Sequence, residues 1–144
     1  MIIGLDLGSV TCGVAQSDVT GTFAIGVKTL RFAHEDYETA VDLVVEMCKE
    51  LKPETVVVGY PILLNGQQGT RAQISKIFAE VLEEELNTNV VLWDERFTTI
   101  QAEKTLLEGK VKRKKRREII DKVAATYILQ GYLDQKNNRR EEDD

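Results

Sequence analysis

Apolar residues fill nearly every position of Ile2-Ile3-Gly4-Leu5-Asp6-Leu7-Gly8, and a run this dense reads as a strand buried on both faces. Cys12 to Asp18 reads as a second strand, close enough for a hairpin turning around Ser9–Thr11. Phe23 to Leu30, after the Thr20-Gly21 break, offers a third. The period then changes. Ala40, Val41, Val44, Val45, Met47, Cys48 and Leu51 recur at three- and four-residue steps, which predicts an amphipathic helix over 37–51 that ends near Pro53. Thr55 to Gly59 is a short apolar strand. Ile74, Ile77, Phe78, Val81 and Leu82 mark a helix from Arg71 to Leu86, and Asn89 to Trp93 marks the last strand. A helix over 99–108 and a closing helix over 118–134 follow, with a polar tail, 137–144, expected to fray. Three tightly connected strands predict an antiparallel ribbon, and the later alternation of helix and strand predicts parallel crossovers. The expected fold class is α/β, a five-stranded mixed sheet with helices on both faces.

With 144 residues and 42% hydrophobic content, the chain reads as a single domain over 1–136 followed by that tail. No apolar run reaches bilayer length and no leader pattern opens the chain, so a cytoplasmic protein with no membrane partner is expected. Cys12 and Cys48 lack metal-type spacing and read as reduced, packed thiols, and the single histidine, His34, is assigned no role. The net charge of −5 hides a strong asymmetry, because residues 110–117 read KVKRKKRR, seven basic positions of eight, and setting these aside leaves −12. Local charge density, not the sum, decides where a phosphate backbone lands. The bland alternative for this block is a solvated surface segment.

Asp6 is the anomaly of the first strand. A carboxylate on a central strand is costly to desolvate unless it is paired, hydrogen-bonded or bound to a cation. Working residues of open α/β sheets collect beyond the carboxyl ends of the strands, which is where Asp6 and Glu95 fall. Asp121 is a third candidate, since Ala124, Ala125 and Ile128 share its helical face and that face is expected to pack on the sheet. Three converging carboxylates make an oxygen-rich site suited to Mg2+ or Mn2+, and two such ions support in-line attack on a phosphodiester. Taken singly, Glu95 reads equally as a loop acid paired with Arg96, and Asp121 as a helix-start charge favoured by the macrodipole.

Nucleic acid is the partner that joins an acidic site to a basic block. Candidate contacts are Gly8, where the main chain can approach a ligand closely, and Arg71, at a helix start where amides and guanidinium can hold a phosphate. Arg96, Thr98 and Thr99 lie beside Glu95, and Lys112, Arg113, Lys114, Lys115, Arg116 and Arg117 form the block. The loop from Tyr60 to Gly69 is long for a compact domain and is a candidate functional loop. Trp93 fits core or rim packing better than base stacking.

The segments GLDLGSVTCGVAQSD, VVVGYPILLNGQQGTRA, VVLWDERFTT and DKVAATYILQGYL, in this order and spacing, resemble the YqgF/RuvX family from Ile2 to about Leu133. DERFTT with the later DKVAA carries most of the specificity. The resemblance implies an RNase H-like fold and a metal-dependent nuclease site formed by Asp6, Glu95 and Asp121. It also implies a cytoplasmic role in maturing the 5′ end of pre-16S ribosomal RNA, with precursor RNA or ribosomal particles as partners. Departures are Val10-Thr11 where the family commonly has a basic pair, Tyr60 where leucine or phenylalanine is common, and Thr70 where proline often stands. Rival readings are a junction resolvase acting on branched DNA, a nucleic-acid-binding module without catalysis, and a kinase-like or actin-like ATPase, which needs a second lobe that 144 residues do not provide.

Overall fold

A computed structural model describes residues 1–62, 65–67, 69–95 and 113–143, with side chains in the last segment described over 122–139. Five strands form one sheet in the order β3-β2-β1-β4-β5: β1 Ile2–Leu7, β2 Thr11–Ser17, β3 Ala24–Arg31, β4 Thr55–Tyr60 and β5 Asn89–Asp94. The first three strands pair antiparallel, while β4 joins β1, and β5 joins β4, in parallel. This is the mixed sheet expected from the change of period.

Alternation along the central strands sorts their side chains between two cores. Ile3, Leu5 and Leu7 of β1, with Val56 and Val58 of β4, pack under α1 (Tyr37–Leu51) and α2 (Thr70–Leu86). Ile2 and Val57, with Trp93 of β5, pack under α3 (Arg113–Asp143). Both faces of β1 and β4 are therefore covered, which is why these strands read as continuous apolar runs. Cys12 and Cys48 are free and buried, as anticipated, and burial pushes the Cys48 thiol pKa up to about 11. Asp36 caps α1, its carboxylate accepting from the Thr39 amide at 3.2 Å and hydroxyl at 2.6 Å, and these bonds hold its pKa below the usual value.

α3 crosses its face of the sheet antiparallel to β1. In its second half, Gln130 Nε2 donates to Thr22 O at 2.8 Å and Asn137 Nδ2 to Gly21 O at 3.2 Å, in the β2–β3 turn. That turn lies at the amino end of β1, where the Ile2 amide donates to Ser17 Oγ at 2.9 Å. Farther back along the helix, Ala125 and Leu129 lie over Gly4, where an added Cβ would come within 2.7 Å of Leu129 Cβ. The amino-terminal half of α3 consequently runs toward the carboxyl rim of the sheet.

One expectation needs correction. The closing helix is not confined to 118–134: it begins at Arg113, inside the basic block, and continues to Asp143, so most of the expected frayed tail is helical. The helix expected over 99–108 lies outside the described residues.

Candidate active site

The carboxyl rim is built around Asp6. Its residue pairs with Gly13 of β2, and because Leu5 pairs with Val58, Gly59 of β4 lies abreast of it on the other side. Asp6 shares a strand face with Ile2 and Gly4, so its half-buried side chain is directed to the α3 side of the sheet. A glycine on each flank clears the volume that cross-strand neighbours would otherwise fill.

Glu95 enters from the opposite edge. Gly59 pairs with Trp93 and Tyr60 with Asp94, so Glu95 stands one residue beyond the ladder, half-buried. Its carboxyl group folds back over β4: a Cβ built on Gly59 would lie 3.3 Å from both Cδ and Oε2 of Glu95. Gly59 and Asp6 sit on adjacent strands, about 5 Å apart, so the Glu95 carboxyl group lies over the strand next to the one that bears Asp6. Among the described residues, no three acidic, histidine or thiol groups come together.

Asp121 contributes a backbone position only, since its side chain lies outside the described residues. It is not at the helix start, as expected, but eight residues into α3, which removes the macrodipole explanation for an acid there. Ala124, Ala125 and Ile128 are fully buried on the sheet, as anticipated for the face they share with it. One turn before Ala125 is about 6 Å along the helix, and Asp6 is about 7 Å along β1 from Gly4. Ala125 lies over Gly4, and Asp121 is one turn earlier on the same helix.

Of the other candidates, Gly8 closes the β1–β2 hairpin, its amide donating to Thr11 O at 2.7 Å. A Cβ there would meet that oxygen at 3.1 Å, so the tight turn is reason enough for glycine. Arg71 opens α2 one residue after its first position and reaches over the strand end, its Nη2 donating to Leu7 O at 2.8 Å. Sequence reasoning anticipated a phosphate ligand at Arg71 and missed this fastening of the strand that bears Asp6. Arg96, Thr98, Thr99 and Lys112 lie outside the described residues, and Arg113, Lys114, Lys115, Arg116 and Arg117 are placed as helical backbone alone. Trp93 is core, packed edge-on against Tyr132 with ring centroids 6.4 Å apart. Gly59 itself was missed as a functional position. Nothing local in the sequence tells that its missing side chain makes room for a carboxylate 36 residues onward.

Five strands in this order, the first three antiparallel and the others parallel to the first, with helices on both faces, define a chain of the RNase H-like, resolvase-type fold. Solved structures agree on that fold: RuvC of Thermus thermophilus in complex with a Holliday junction matches with a TM-score of 0.61 and 13% identity, covering 94% of each chain. The fowlpox virus Holliday junction resolvase matches with a TM-score of 0.53 and 15% identity, covering 93% of this chain and 98% of that one. The chain belongs to the RuvX family, whose model, described as "RuvX: Holliday junction resolvase", matches residues 1–135. A relative from Listeria monocytogenes named "Putative pre-16S rRNA nuclease" is 52% identical over 136 residues, covering 94% of this chain and 99% of its own. A Bacillus subtilis relative of the same name is 46% identical over 136 residues, with the same coverage.

Proposed function

We propose that the chain is a cytoplasmic, divalent-metal-dependent nuclease that hydrolyses phosphodiester bonds in the 5′ region of precursor small-subunit ribosomal RNA. The observation that carries this reading is the Glu95 carboxyl group folded back over Gly59, the residue abreast of Asp6 on the neighbouring strand. Two half-buried acids side by side raise each other's cost of ionisation, and cations offset that cost. A donor set of carboxylate oxygens alone suits Mg2+ or Mn2+ and lacks the Cys and His ligands that zinc sites ordinarily contain. Asp6 and Glu95, with Asp121 from the neighbouring turn of α3, would hold the metal, a pair of ions in the fullest form of the site. When bound, that group supplies an activated water and charge neutralisation at the leaving oxygen.

The chain's own residues do the rest. Pairing with Gly13 of β2, one residue after Leu5 pairs with Val58 of β4, fixes the main chain at Asp6 on a strand instead of a loop. Arg71 uses one guanidinium nitrogen on Leu7 O and keeps further N–H donors for a phosphate at the rim. Arg113 to Arg117 open α3, and with Lys112 they would supply cations for the RNA backbone on either side of the scissile bond. The relatives' name supports precursor ribosomal RNA as substrate.

The family's description favours a second reading, resolution of branched DNA. One experiment separates the two: incubate the purified chain with precursor small-subunit rRNA and with a four-way DNA junction, in Mg2+, Mn2+ or chelator, and map the ends. Metal-dependent cuts at a defined site in the RNA with the junction intact are expected. Paired symmetric cuts in the junction alone would overturn RNA processing, and equal cutting in chelator would overturn the metal site.

A further inference from the structure

On the sheet face opposite the carboxylates, α1 and α2 leave an open groove of about 470 Å3 between them. Val41 of α1 and Ile74, Ile77 and Val81 of α2 form its apolar floor, and Ile77 is 60% exposed there. The rim is anionic: Glu38 and Asp42 on one side, Glu85 on the other, with no lysine or arginine among the described residues that line it. Along α1 the acids continue as Glu38, Asp42, Glu46 and Glu50, all exposed and four residues apart. Like charges at this spacing weaken a helix instead of supporting it. The seam extends past Val45 into a second depression bounded by Asp42, Glu46, Glu50 and Glu85, which Lys49 also lines.

We propose that this groove docks an amphipathic helix of a protein partner, one that inserts a ridge of aliphatic side chains between α1 and α2 and sets lysines or arginines against the acids. An apolar floor with an acidic border selects such a helix by charge complementarity, and it repels nucleic acid and anionic lipid, both of which carry the border's own sign. Helix α1 from Glu38 to Glu50 spans about 18 Å, enough to seat three to four turns of a partner. Because the groove and the carboxyl rim lie on opposite faces of the sheet, a helix seated here leaves Asp6 and Glu95 open to substrate.

The probe is a synthetic peptide of about four turns with leucines along one face and lysine or arginine elsewhere, titrated into the isotope-labelled full chain and followed by NMR. Expected is saturation at one peptide per chain with shifts confined to α1 and α2. Ile77→Asp, and separately Asp42→Lys with Glu85→Lys, should each weaken binding by about tenfold or more. All three positions are at the surface, and an unchanged circular dichroism spectrum confirms that the variants fold. The same peptide with its leucines replaced by serine should not saturate. The proposal is overturned if the serine peptide binds as well as the leucine peptide, or if shifts spread over the whole acidic surface. It is also overturned if sedimentation without peptide shows self-association that Ile77→Asp abolishes, since a second copy would then own the groove.

Discussion

Glu95 and Gly59 stand in a relationship of fit: the carboxyl group of one occupies the space that a side chain on the other would need, with Cδ and Oε2 3.3 Å from the position of a Cβ. Ile128 Cδ1 crowds the same point at 2.5 Å, so α3 closes the space from above. Gly59→Ala should therefore displace both neighbours. The expected result is a loss of about 1–3 kcal/mol of stability from overpacking, together with a weakening of Mn2+ binding by about tenfold or more. Denaturant melts and metal titration of the folded variant measure the two separately. Unchanged metal affinity would mean that Glu95 is not a ligand.

Asp6→Asn, Glu95→Gln and Asp121→Asn should each reduce metal-dependent cleavage by about a hundredfold or more, the scale of losing a stabiliser of transition-state charge. Normal turnover in any of the three removes that residue from the site.

Replacing Lys112 to Arg117 with neutral residues should weaken binding to every RNA sequence tested. The slope of log affinity against log salt should flatten by about 0.7 for each phosphate of a single strand that is no longer neutralised. Filter binding across a salt series reads this directly, and an unchanged slope assigns the block to the solvated surface.

Arg71→Ala removes the bond to Leu7 O and should cost about 1 kcal/mol of stability. Arg71→Lys keeps the charge without the fork, so it should recover less of the loss in RNA affinity than of the loss in stability. Equal recovery of both would argue against a phosphate contact.

Cys48 gives the chain an alkaline limit. Its thiol titrates near 9.0 when exposed and is pushed up to about 11 by burial. Between these values the unfolded chain gives up a proton that the folded chain keeps. The contribution is whole below pH 9 and is lost as pH rises toward 11. Cys48→Ala should flatten the fall in stability over that window, as measured by urea melts at successive pH values.

The architecture was legible because burial writes itself into the sequence twice. The runs at Ile2–Leu7 and Thr55–Gly59 are apolar on both faces, and the helices over α1 and α2 show a clear three-four period. α3 was legible only where it touches the sheet. Its ends are polar all round, so periodicity is silent there, although Lys, Arg, Gln and Glu are good helix formers and that propensity was an available signal. Asp6 stood out locally as an acid among aliphatics. The partnership of Glu95 with Gly59 did not, because it depends on the register of β4 against β5 and on how the chain folds back after β5, and no short window of sequence encodes either.

α3 runs as one helix from the basic residues at Arg113 through Asp121 to the packed turn at Ala125, so its parts share a rotational phase. Inserting one residue between Asp121 and Ala124 would swing the backbone of Asp121 and of everything before it by about 100° around the axis. Inserting seven would nearly restore the angle but carry both about 10 Å outward. In the proposed nuclease, grip and hydrolysis would thus be geared to the same shaft, and neither could be retuned in length without disengaging the other.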